Sequence, residues 1–93
     1  MIIENRWLID KFVRKHAGAR MRMAEWIEKV EAARWHNFTD IRHTFNSADY
    51  VRSLVVFNIG GNNYRIVAEV IYIAQIVRIT KVGTHKDYDG WKL

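Results

Sequence analysis

Two periodicities divide the chain. Over its first third, apolar residues recur at helical spacing: Leu8, Ile9, Phe12 and Val13 make one stripe, and Met23, Ile27, Val30 and Ala33 make another. Positions three and four apart share a helix face, so each stripe predicts an amphipathic helix. Asn5 is placed to cap the first, which runs to about His16, and Gly18 breaks it. The second helix is expected from about Ala19 to Trp35, with Glu25 and Lys29 as a supporting i, i+4 pair. Together they read as an antiparallel helical hairpin. Trp7 and Trp26 fall near the apolar stripes and are expected to pack, whereas Trp91 is the tryptophan expected at the surface.

Residues 36–51 scatter aromatics among polar groups without a sustained period, which suits an ordered loop crossing the surface. The period then changes. Leu54–Ile59, Tyr64–Tyr72 and Gln75–Val82 are rich in Val, Ile and Tyr, as strands are. Gly60, Gly61, Asn62 and Asn63 between the first two are a strong hairpin signal, and a short turn at Ile73 and Ala74 joins the last two. The predicted fold is α+β, with the N-terminal helical hairpin packed on a three- to four-stranded, mainly antiparallel sheet, Met1–Ile3 being available as the additional strand. At 93 residues, positions 1–93 are expected to form one domain around a small core.

Strand alternation then sorts the side chains. Tyr64, Ile66, Ala68, Val70 and Tyr72 form a core row, which leaves Arg65, Val67, Glu69 and Ile71 on the other face. On that pattern alone Arg65 is a solvated arginine or the partner of Glu69 in a cross-strand ion pair. Strict alternation also puts Arg78 and Lys81 on opposite faces of the last strand.

Charge changes this picture. The formal net charge is +5, and residues 51–93 carry six Lys/Arg against three Asp/Glu. Such an excess in the more apolar half favours a polyanionic partner, because cations that neutralise phosphates release condensed counterions. The chain has no cysteine, which removes thiolate zinc sites, cysteine nucleophiles and disulfides together. No apolar run is long enough to span a bilayer and no leader pattern opens the sequence, so a cytoplasmic protein without a membrane role is expected. His16, His36, His43 and His85 lack the paired spacing of a metal site, and neither a metal nor another cofactor is expected.

One segment concentrates chemistry: Thr84, His85, Lys86, Asp87, Tyr88 and Asp89 place an imidazole, an ammonium, a phenol and two carboxylates in consecutive positions. Metal-free RNA cleavage needs a base for the 2′-hydroxyl proton, cations at the phosphate and an acid for the leaving oxygen. His85 can exchange protons near neutral pH, Lys86, Arg65 and Lys81 can supply charge, and Tyr88 can stack on a base or orient a proton. A turn leading into a frayed terminus would read the same way.

The string Val56-Phe57-Asn58-Ile59-Gly60-Gly61-Asn62-Asn63-Tyr64-Arg65-Ile66-Val67, followed by Thr84-His85-Lys86-Asp87-Tyr88-Asp89, resembles the HigB-type toxins of the RelE-like (RelE/ParE) superfamily. In these a Phe-Asn-(Ile/Val)-Gly-Gly-Asn hairpin leads to an Arg-(Ile/Val)-Val strand and a late Thr-His box. The resemblance covers about the last 38 residues. It implies a type II toxin-antitoxin system, in which a ribosome-dependent mRNA endonuclease inhibits translation. Expected partners are mRNA on the ribosome, with contacts to ribosomal RNA, and a helix-turn-helix antitoxin of the HigA type in a hetero-oligomer. Arg65 then corresponds to the arginine at the scissile phosphate, and His85 and Tyr88 to the late catalytic box. Lys86, Lys81, Asn58, Asn62 and Arg78 are candidate RNA-binding residues. RelE-like toxins often place lysines where this chain has Asn58 and Ser53, which leaves the general base open; His85 is taken for it. The alternative from another class is a catalytically silent RNA-binding or partner-binding module on the same fold.

Overall fold

The computed structural model describes residues 1–93. Its elements in chain order are β1 (Ile2–Glu4), α1 (Trp7–Lys15), a 3-10 turn (Ala17–Ala19), α2 (Arg20–Ala32), α3 (Phe38–Thr44), β2 (Asp49–Val51), β3 (Leu54–Ile59), β4 (Tyr64–Ile71), β5 (Ile76–Thr84) and α4 (His85–Gly90). The strands form one five-stranded sheet in the order β1-β5-β4-β3-β2. β2, β3, β4 and β5 pair antiparallel with their neighbours, and β1 joins β5 in parallel. The fold is α+β as expected, but the sheet is larger and mixed.

The helical half also departs from the expected hairpin. α1 lies against β5, whereas α2 lies against β1 and β3, and both meet the 3-10 turn that joins them. Each apolar stripe therefore faces the sheet instead of the other helix. Asn5 does not cap α1. It adopts a left-handed φ of 65°, which Asn tolerates better than most residues, and its side-chain amide donates to the Ile79 carbonyl at 3.0 Å. The second helix ends at Ala32, three residues short of Trp35.

The segment 36–51 contains two further elements. Asn37 caps α3 by accepting from the Asp40 N–H, and Ile41 beneath it is fully buried. Arg52 and Ser53, both at positive φ, turn β2 back onto β3. Phe38, Ile41 and Phe45 carry a helical period, but the run is short and interrupted by His, Arg and Thr. The packing that holds α3 and β2 comes from the core and not from their own propensity.

Phe57 is the centre of that core. It is fully buried and meets Trp26 edge-on at 5.3 Å, Phe45 edge-on at 5.3 Å and Trp35 nearly parallel at 6.2 Å. These rings come from β3, α2, the end of α3 and the segment after α2, so one side chain binds four parts of the chain. Ile66, Ala68, Val77 and Ile79 complete this face of the sheet, and Tyr64, Val70 and Tyr72 pack at its margin as the alternation indicates. Trp7, by contrast, is exposed.

A bulge in β5 decides what the opposite face carries. Ala68 pairs with Ile79, yet Val67 pairs with Lys81, so Thr80 is the extra residue, and its hydroxyl donates to the Val67 carbonyl at 3.1 Å. The inserted residue flips the alternation. Lys81 and Gly83 thus share the face of Arg78, Val67 and Arg65, and strict alternation fails for Arg78 and Lys81.

No helix is long and apolar enough to cross a membrane. Because Phe57 links so many elements, Phe57→Ala is expected to lower unfolding stability by about 3–5 kcal/mol. Urea denaturation followed by tryptophan fluorescence measures it, and a loss below about 1 kcal/mol would contradict this role.

Candidate active site

The chemistry assembles on the second face of the sheet, at the end where β3 turns into β4. Gly60 and Gly61 both take positive φ in that turn, conformations that suit glycine, and the tight reversal brings Asn62 beside Arg65. The turn is tied to the end of the chain: the His85 amide donates to the Asn63 carbonyl at 2.9 Å.

His85 opens α4, a helix where a turn into a frayed end was also possible. Thr84 and Asp87 form a reciprocal capping box: the Thr84 hydroxyl accepts from the Asp87 amide and the Asp87 carboxylate from the Thr84 amide, each at 3.0 Å. The Thr84 backbone N–H is the main reason the Asp87 carboxyl is held below its usual range; the Thr84 hydroxyl and the positive charge of His16 and Lys86 add to it against a smaller effect of burial. Gly83 lets the helix return so closely. A Cβ there would lie 2.7 Å from the Trp91 ring, so Trp91 packs over the strand and is not the free surface tryptophan that was expected.

Arg65 is the centre. Only 5% of it is exposed, so the expectation of a solvated arginine or a Glu69 partner does not hold. Its guanidinium donates to the Asn62 carbonyl at 3.2 Å, the Tyr64 carbonyl at 3.1 Å, the Asn62 side-chain oxygen at 2.7 Å and His85 Nδ1 at 2.6 Å. It also lies 5.5 Å from the Tyr88 ring centroid, within cation–π range. Arginine has no acceptor, so His85 Nδ1 must be an unprotonated nitrogen in this arrangement. Nε2 faces Asp89 at 3.8 Å.

The structure thus brings together Arg65, His85, Tyr88 and Asn62. Lys81 lies above the Trp91 ring at 5.5 Å, and Trp91 meets Tyr88 edge-on, so this lysine borders the same face. Asn58 is the cross-strand partner of Arg65 and donates to the Ser47 carbonyl. Lys86 is exposed on α4. Arg78 stands apart: it lies on β5 opposite Glu69, which is four residues, or roughly 13 Å, along β4 from Arg65. It is held by Glu4 at 2.7 Å and Glu69 at 2.9 Å, ion pairs that raise its pKa further.

A pocket of about 330 Å³ adjoins the cluster, lined among others by Arg42, Asp49, Val56, Asn58, Arg65 and Tyr88. Arg42 and Asp49 were not singled out from the sequence, because both fall in the stretch read as a loop. No three or more His, Asp or Glu side chains gather closely enough to hold a metal ion.

Residues 19–91 match the HigB toxin family, described as the RelE-like toxic component of a toxin-antitoxin system. The chain belongs to this family. Over 52 residues it is 42% identical to the mRNA interferase toxin HigB of Escherichia coli strain K12, which is 53% of this chain and 50% of that protein. The mRNA interferases HigB of Escherichia coli O157:H7 and Shigella flexneri match to the same extent. The chain spans about half the length of the curated relatives it matches. Membership of the HigB family agrees with the resemblance carried by the hairpin and the late Thr-His box.

Removing the carboxylate of the capping box has a pH signature. A depressed aspartate pKa stabilises the fold above its unfolded value, and that contribution disappears as pH falls through the lowered folded value. Asp87→Asn should therefore unfold at lower temperature than the parent at pH 7, and the gap should close on acidification below the ordinary value of 3.8. Thermal melts of both proteins across that range check it, and a gap that persists unchanged in acid would contradict the assignment.

Proposed function

We propose that the chain is the toxin of a type II toxin-antitoxin pair and acts as an endoribonuclease on mRNA bound to the ribosome. The observation that carries this is the contact of Arg65 with His85 at 2.6 Å beneath the Tyr88 ring, in a member of a toxin family whose curated relatives bear the name mRNA interferase.

The geometry suits attack by a ribose 2′-hydroxyl on the adjacent phosphate. Arg65 is already fixed by three oxygens from Asn62 and Tyr64, so little ordering cost remains when it meets an anion. A phosphate oxygen arriving at the guanidinium competes with His85 Nδ1 for the same N–H, and charge-assisted bonding favours the phosphate. His85 is thereby released as a base. It takes the 2′-hydroxyl proton, the 2′ oxygen bonds to phosphorus, and the bond to the 5′ oxygen breaks, with a proton returned to that oxygen. The products are a 2′,3′-cyclic phosphate and a 5′-hydroxyl end. Arg65 stabilises the charge that builds on the phosphate, and Tyr88 holds the neighbouring base or orients a proton.

Lys81, Lys86, Asn58 and Asn62 support RNA binding around this centre, Asn62 by holding Arg65. Arg78 is a weaker candidate, since its two ion pairs occupy it elsewhere. The partner that silences the enzyme is a HigA-type, helix-turn-helix antitoxin, and the two form a hetero-oligomer in the cytoplasm.

Loss of a positioned proton-transfer group, or of a donor that stabilises charge in the transition state, typically costs about 100-fold or more in rate, so His85→Ala and Arg65→Ala should each reduce mRNA cleavage by at least about 100-fold and relieve growth arrest. Cleavage of mRNA on purified ribosomes gives the rate, and thermal melts show whether each variant is folded. Undiminished cleavage by the folded double variant would overturn the assignment, and a wild type that binds RNA without cutting it would make the protein a binding module. Co-expression with the product of an adjacent helix-turn-helix reading frame should restore growth and yield a co-purifying complex; growth arrest that persists in its presence would refute the pairing.

A further inference from the structure

The pocket beside Arg65 holds a group that phosphate binding does not explain. Asp49 brings a carboxylate into the lining of a site proposed to take a polyanion, in a chain of net charge +5. A carboxylate near a bound phosphate is repelled by it, and is favourable only where it accepts hydrogen bonds from something else. Pairing and alternation put Asp49 in one row with Val56, Val67 and Lys81, and Asn58, Arg65 and Gly83 in the next row of the same sheet face. The carboxylate therefore faces the catalytic side.

The remaining hydrogen-bonding capacity identifies a ligand. One Asp49 oxygen accepts from the Tyr50 amide at 2.9 Å, and the other has no protein partner. Asn58 uses its amide N–H toward Ser47, while its oxygen has no partner. The Arg42 guanidinium donates to the Asn46 carbonyl at 3.0 Å and keeps further N–H groups for a ligand. Arg42 and Asp49 line one pocket, yet they form no ion pair within 4.0 Å. The lining thus keeps unused acceptors on Asp49 and Asn58 and unused donors on Arg42, with buried Val56 as an apolar contact and Tyr88 beside them.

The geometry points to a guanine-selecting pocket, in which Asp49 accepts from the guanine N1–H and N2–H2, with Asn58 as a second acceptor, and Arg42 donates to O6 and N7. Guanine is the nucleobase with two adjacent donors on its pairing edge and two acceptors on the neighbouring edge. Adenine and cytosine offer one exocyclic amine to the carboxylate, and uracil a single imino N–H. The inference rests on the endonuclease reading for its consequence, which is that cleavage occurs at a fixed distance from a guanine.

Two measurements separate it from that reading. In the first, GMP, AMP, CMP and UMP are titrated into the purified protein, and amide shifts of Asn58 and Tyr88 are followed by NMR. GMP should bind at least about fivefold tighter than AMP, the lower end for a bidentate side-chain contact to a base. Asp49→Asn preserves the shape and the acceptor for the Tyr50 amide, and it should abolish the preference; Arg42→Gln should weaken it. GMP binding no tighter than AMP, or a preference retained in Asp49→Asn, overturns the pocket whatever the protein does to mRNA. In the second, cut sites on ribosome-bound mRNA are sequenced. Cuts enriched at a fixed distance from guanine, with enrichment reduced at least fivefold in Asp49→Asn, support the inference, and wild-type cuts indifferent to guanine overturn it. GMP selectivity in a protein that does not cut removes the endonuclease reading and leaves the pocket standing.

Discussion

A guanidinium removed from water must have its N–H groups answered, and the site is organised around that demand. Arg65 is buried within a strand, where an uncompensated charge would cost several kcal/mol. Its partners come from three places: the turn before the strand supplies Asn62, the strand itself supplies the Tyr64 carbonyl, and the helix after β5 supplies His85 and the Tyr88 ring. Losing any one of these elements would strand the charge, so the arginine couples the β3–β4 turn to α4. The same network that satisfies it leaves one N–H shared with an imidazole, the bond that a phosphate would replace in the proposed reaction.

Two local devices make this convergence possible. The Thr80 bulge turns Lys81 and Gly83 to the face that carries Arg65. Gly83 then admits the Trp91 ring at a distance no other side chain allows, and the capping box on Thr84 starts α4 at His85. On the opposite face the aromatic contacts of Phe57 hold β3 against the helices. The packed core and the candidate site thus lie on opposite faces of one sheet.

The position of α4 also gives Tyr88 two roles. Its ring covers Arg65 and forms a wall of the pocket that Asp49 and Arg42 line from β2 and α3. Chemistry at the phosphate and selection of a neighbouring base would therefore share one side chain, and the two short elements missed in the sequence would carry the selection.

Helical stripes at Leu8–Val13 and Met23–Ala33, the strand runs, the Gly60-Gly61 reversal and the grouping of His85 with Tyr88 are legible in the residues, because each depends on spacing along a few consecutive positions. So is family membership, carried by two motifs, Val56–Val67 and Thr84–Asp89. Other features depend on contacts between distant segments. Alternation places Arg65 away from the core row but cannot show that a later helix buries it. The bulge at Thr80 leaves no mark beyond an ordinary threonine, and α3 and β2 are too short to declare themselves without the core beneath Ile41. The sequence alone determined which chemical groups the protein owns and most of its regular elements; tertiary structure decided which of those groups meet, because burial and hydrogen-bond satisfaction are properties of the whole packed chain.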